Sequence, residues 1–126
     1  MQTLQKFPTM PKNARIPVSN FFTALPDSVP TELFETLAQN SHIKIERIIS
    51  TGQVSPVDFW YDQPYSEWVI LLQGQAKLQF ASERTMIILT AGDYLLIPAH
   101  EKHRVEWTDP TQVNLWLAIH LYENLK

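Results

Sequence analysis

Gly92-Asp93-Tyr94-Leu95-Leu96-Ile97-Pro98-Ala99-His100-Glu101-Lys102-His103 is the stretch whose reading decides the fold. Ala91-Gly92-Asp93 carries turn chemistry, Tyr94 to Ile97 is a short apolar run, and Pro98 ends it because proline cannot donate to a sheet ladder. A run this short, stopped on both sides, is a strand in a sheet of closely spaced turns.

The same grammar extends in both directions. Upstream, His42 to Ile49 is rich in β-branched residues, Glu67 to Leu72 follows, and Gly74 marks a turn. Gln75 to Phe80 alternates between polar and apolar, Ser82-Glu83-Arg84 breaks the pattern, and Thr85 to Thr90 resumes it. Downstream, Arg104 to Trp107 precedes the turn Asp109-Pro110, and Val113 to Tyr122 closes the chain. Six to eight short strands with turns at roughly 8–12-residue spacing indicate an all-β sandwich or barrel. No segment from 42 to 126 has room for the helical crossovers of a parallel sheet.

The first 41 residues read differently. Pro8, Pro11, Pro17, Pro26 and Pro30 forbid a long helix and suggest an extended arm, anchored by Phe21-Phe22, that lies on the body or on a partner. One short helix is expected over 28–39. Asp27 or Ser28 caps it, Pro30 suits its first turn, and Phe34, Leu37 and Ala38 form a stripe at helical spacing. The reading is therefore one domain, with residues 1–41 as arm and helix and 42–126 as barrel.

Composition limits the function. The 126 residues are 44% hydrophobic and carry a formal charge of −3, with no run of Lys or Arg. That argues against a nucleic-acid binder, which needs a basic footprint. There is no cysteine, which excludes disulfides, thiolate zinc sites and thiol nucleophiles. No apolar stretch approaches the ~20 residues of a membrane helix, and no signal-peptide pattern opens the chain, so a soluble cytoplasmic protein is expected. With glycine only at 52, 74 and 92, neither a P-loop nor a G-x-G-x-x-G loop can form, and there is no nucleophile elbow.

Two stretches resemble the cupin superfamily. Glu67, six residues and Gly74 match the end of its first motif, in which two histidines one residue apart precede the Glu. Gly92, Pro98 and His103 match the spacing of its second motif. With the strands between them the motifs span about 60 of the 126 residues. The sequence departs where the motif histidines fall on Trp60 and Asp62, where His100 stands for the second motif glycine, and where Trp107 stands for its terminal Asn. Phe59 to Gln63, Glu67 to Val69 and His103 to Trp107 are similar to small bacterial single-domain cupins without assigned activity. The resemblance implies a jelly-roll barrel, usually a homodimer, with its site in the barrel mouth.

In such a barrel Asp62, Glu67 and His103 would face one cavity. Two carboxylates and an imidazole suit Fe(II), Mn(II), Ni(II) or Zn(II). The other reading of the same set is a hydrogen-bonded polar cluster that shapes the mouth. His100 is a further candidate at the rim. His120 is another if its strand turns Asn114, Trp116, Ala118 and His120 inward, although Val113, Leu115, Leu117, Ile119 and Leu121 make the more obvious core face. His42 reads as structural or exposed. Trp60, Tyr61, Trp107 and Trp116 would line an aromatic cavity for an organic ligand. The expectation is a small-molecule-binding cupin. It is either a divalent-metal enzyme for a small organic acid or sugar, or a metal-free binding barrel.

Overall fold

Glu67, Val69 and Leu71 alternate with Trp68, Ile70 and Leu72, so this strand carries apolar side chains on both faces and must be covered on both. In the computed structural model, which describes residues 15–123, it lies inside a five-stranded antiparallel sheet. The strands are β1 (Leu33–Gln39), β2 (Ile43–Ser50), β3 (Ser66–Gln73), β4 (Gln75–Phe80), β5 (Ile87–Thr90), β6 (Tyr94–Ile97), β7 (His103–Thr108) and β8 (Asn114–Leu121). The larger sheet has the order β1-β2-β8-β3-β6 and the smaller β5-β4-β7. The inner faces close on a core that includes Ile48, Val69, Leu71, Leu78, Phe80, Leu89, Ile97 and Trp116. The all-β jelly-roll expectation holds, and the described residues contain no helix.

The helix expected over 28–39 is absent: residues 28–32 are irregular and Leu33–Gln39 is strand β1. Leu33 pairs with Ile49 and Phe34 with Ile48, and the ladder shifts between Thr36 and Ala38, leaving Leu37 as an extra residue. This bulge explains the misreading. It moves Leu37 and Ala38 off strict alternation, so Phe34, Leu37 and Ala38 fall at a spacing that imitates a helix. A helix of about 12 residues is marginal alone, whereas the strand gains a full ladder on β2.

The arm lies on the body where it is described; Pro8 and Pro11 lie outside the described residues. Arg47, on the outer face of β2, is fully buried and donates from Nη1 to the carbonyls of Phe21 (2.7 Å) and Thr23 (2.9 Å). Its Nε donates to Glu35 Oε1 at 2.6 Å, and its guanidinium sits 5.9 Å from the Phe21 ring centroid. Phe21 therefore anchors the arm, while Phe22 is half exposed. Asn114 ties the turns together at the closed end. Its Nδ2 donates to the carbonyls of Ser50 and Asp109, and its Oδ1 accepts from the Gln75 N–H beside Gly74.

Candidate functional site

β8 settles the facing of its own residues. Pairing places Glu67 opposite His120 and Leu71 opposite Trp116, and the same strand sets Ala118 opposite both Val69 and Glu46. Trp116, Ala118 and His120 are buried on the inner side. The apolar residues Leu115, Leu117, Ile119 and Leu121 form the opposite face, buried or partly buried. The outer face of β8 is wholly apolar and the inner one is not, which is why an apolar count alone pointed to the outer face as the cavity wall.

The inner side opens into a small cavity of about 100 Å³. Its polar wall is Glu32, Glu46, Glu67, His103, His120, Tyr61 and Gln63, and Phe34, Ile48, Val69, Leu78, Ile97, Val105 and Trp116 complete it. Of the residues expected at the site, Glu67, His103, His120, Tyr61 and Trp116 are brought together here. The other four stand elsewhere. Asp62 is exposed and pairs through Oδ1 with His100 Nδ1 at 2.9 Å. His100 has φ 62°, the left-handed backbone that a glycine would adopt without strain. The Trp60 ring lies under the Arg104 guanidinium and the Trp107 ring under Lys77 Nζ. Trp107 turns away because of another bulge. Leu78 pairs with Val105 but Lys77 with Trp107, so Glu106 is the extra residue and alternation from His103 fails beyond Val105. His42 is exposed and pairs with Glu123.

Glu32 and Glu46 were not expected. Glu46 sits at a buried position between Ile45 and Arg47, and an acid alternating with apolar residues was its only signal. Glu32 had none, because it falls in the segment read as helix. β1 starts at Leu33, and Glu32, the residue just before it, lines the pocket together with Phe34.

The electrostatics divide these groups. His120 Nε2 donates to Glu46 Oε1 at 2.6 Å, and Lys44 Nζ lies 3.2 Å from Glu46 Oε2. Burial pulls the Glu46 carboxyl upward, but the bond and charge of His120, with Lys44, outweigh it and hold it below the usual range. Glu67 is 8% exposed, and its carboxyl makes no hydrogen bond or ion pair among the described residues. Burial pushes it up; the His120 charge opposes this and the Glu46 charge adds to it. Glu32 is pushed up to about 7 by burial, then by the charges of Glu67 and Glu46. The same pattern, burial followed by the charges of Glu32, Glu67 and Glu46, pushes Tyr61 up to about 12. His103 Nδ1 lies 2.8 Å from the Glu101 carbonyl and so carries the donated proton. Burial lowers its pKa against that bond, which leaves a neutral ring with Nε2 as an acceptor.

The Tyr61 and His103 backbones exchange hydrogen bonds at 2.7 and 3.1 Å, and their rings stack at 5.4 Å. The loop before Tyr61 is fastened to β7 by Ser55 and by Arg104 Nη2, which donates to the Ser55 carbonyl at 3.0 Å. One wall of the mouth is thereby held by main-chain contacts.

The residues do not fit the expected metal. Among the described residues no three His, Asp or Glu side chains converge so as to hold an ion. Asp62 is held outside by His100, and the Nε2 of His120 is engaged by Glu46.

Residues 48–120 match the Cupin domain family. No curated protein matches the chain. Among solved structures, a Ralstonia eutropha JMP134 protein, classed provisionally as a mannose-6-phosphate isomerase, is 42% identical, with a TM-score of 0.81 over 84% of this chain and 98% of its own. A cupin superfamily protein of Desulfitobacterium hafniense DCB-2 is 20% identical, with a TM-score of 0.67 over 94% and 100% of the two chains. A polyketide cyclase of Streptomyces resistomycificus is 15% identical, with a TM-score of 0.63 over 73% and 66%. The last two share the fold. No helix among the described residues is long and apolar enough to cross a membrane.

Proposed function

The chain belongs to the Cupin domain family, and from that premise we propose that its barrel binds a small organic molecule directly, without a metal ion. The observation that carries this is the Glu46–His120 pair at 2.6 Å. It takes up the imidazole that would have to replace the missing motif histidine. The remaining polar groups, Glu67, Glu32 and His103 Nε2, face an otherwise apolar cavity, the usual composition of an organic ligand site. No Lys or Arg stands among the lining residues, so a phosphorylated sugar or an organic acid would meet carboxylates without a compensating cation.

Elemental mass spectrometry on untagged protein tests this, with Glu67→Ala and His103→Ala beside it. The expected result is substoichiometric metal in all three, even after incubation with Fe(II), Mn(II), Ni(II) or Zn(II). Near-stoichiometric metal that both substitutions abolish would restore the metal-enzyme reading.

We also infer that the protein is a homodimer. The outer face of β3, β6 and β8 presents Trp68, Ile70, Tyr94, Leu96, Leu117 and Ile119 side by side, with Tyr94 65% and Leu96 44% exposed. A continuous uncharged strip of this kind supports pairing with a second copy about a two-fold axis. Light scattering should give twice the chain mass, and Tyr94→Lys with Leu96→Lys should halve it. A monomer at micromolar concentration refutes the pairing.

A further inference from the structure

We propose that the occupant of this pocket is a small organic cation, an ammonium group on an apolar or aromatic body, held chiefly by Glu67. The inference rests on the metal-free binding reading above and narrows its ligand class.

The argument begins with what the pocket lacks. Glu67 is more than nine-tenths buried, lines the cavity and has no polar partner among the described residues. Burial makes a carboxylate without a protein donor costly, and a ligand that brings a donor relieves that cost. Every other group that could neutralise it is occupied or of the wrong sign. Lys44 and His120 converge on Glu46. Tyr61, held far above neutral pH, contributes no charge, and the neutral His103 offers an acceptor. Glu32 adds a further carboxylate.

The free groups that carry negative charge or a basic lone pair are therefore the carboxylates of Glu67 and Glu32 and the Nε2 of His103, while the Tyr61 hydroxyl and the partnerless Trp116 Nε1–H are neutral donors beside them. A primary ammonium supplies three N–H donors and a positive charge to such a set. It also relieves the repulsion that Glu46 exerts on both free acids. The remaining wall fixes the rest of the ligand. Phe34, Ile48, Val69, Ile97 and Trp116 offer an apolar surface, which suits a hydrocarbon or aryl body and gives a hydrated metal ion nothing.

Three probes of nearly equal shape separate the possibilities: 2-phenylethylamine, 2-phenylethanol and phenylacetate. Each is titrated into the whole protein near pH 8 and followed by amide NMR shifts. The amine is expected to bind about tenfold tighter than the alcohol, the worth of one charge-assisted hydrogen bond, and phenylacetate not to bind. Glu67→Gln should lower amine affinity about tenfold and leave alcohol affinity unchanged. Glu32→Gln repeats the test should Glu67→Gln fail to fold. Equal binding of amine and alcohol, or tighter binding of phenylacetate, overturns the cation and leaves the metal-free binding site standing. Failure of all three probes at millimolar concentration, with Zn(II) or Mn(II) taken up instead, overturns both.

Discussion

Glu32→Gln is the substitution whose consequence is most closely set by the geometry. Glu32 keeps its proton in the folded protein up to about pH 7, against 4.5 ordinarily, because the cavity desolvates it and Glu67 and Glu46 repel its charge. The folded state thus binds this proton more tightly than the unfolded state does. Stability from the protonated carboxyl is fully present below pH 4.5, falls as pH rises, and is gone above pH 7. Moving the carboxyl from 4.5 to about 7 corresponds to about 3 kcal/mol, and the partial exposure of Glu32 keeps the effect within about 2–3 kcal/mol. Gln keeps the shape and never ionises. Glu32→Gln should therefore match the wild type in urea unfolding at pH 4.5 and exceed it by about 2–3 kcal/mol at pH 8. In melting temperature the pH 8 gain is about 8–12 °C for a domain of this size. If the difference between variant and wild type is the same at both pH values, Glu32 is not buried among like charges, and the pocket described here is wrong.

Two further substitutions test the frame around the pocket. Glu35→Leu removes the buried carboxylate that Arg47 Nε donates to and should cost about 3–5 kcal/mol, whereas Glu35→Leu with Arg47→Met should recover most of it; urea denaturation of the four proteins closes the cycle, and additive losses would refute the pairing. Gly74→Ala places a methyl group onto Asn114 at φ +100° and should cost about 2–3 kcal/mol, against about 1 kcal/mol for Gly92→Ala, which has the same backbone but open space; equal losses in a melting experiment would mean that Asn114 does not fix that turn.

Strand alternation could be followed in the sequence up to the first irregularity and no further. Glu67 and His103 line the pocket, as alternation implies for an inward Glu67 and His103, because each stands on the near side of its bulge. Glu67 pairs with His120 and Ile97 in unbroken register, and His103 pairs with Phe80 before the slip at Glu106. Trp107 lies beyond that slip and turns outward. Leu37 concealed β1, and with it the orientation of Glu32. Asp62 stands at a motif position expected in the cavity, yet it sits in a loop, where no period fixes direction, and the motif spacing says nothing about His100, which holds it outside. Bulges are single-residue insertions that cost the local ladder little, so composition hardly marks them, yet each reverses every side chain after it. The turn residues Gly74, Gly92 and Pro98 make the barrel legible because they act locally. The pocket chemistry depends on Glu46 of β2, His120 of β8 and Glu32 at the entry to β1 meeting at one wall, and only the pairing of β1, β2 and β8 brings them there.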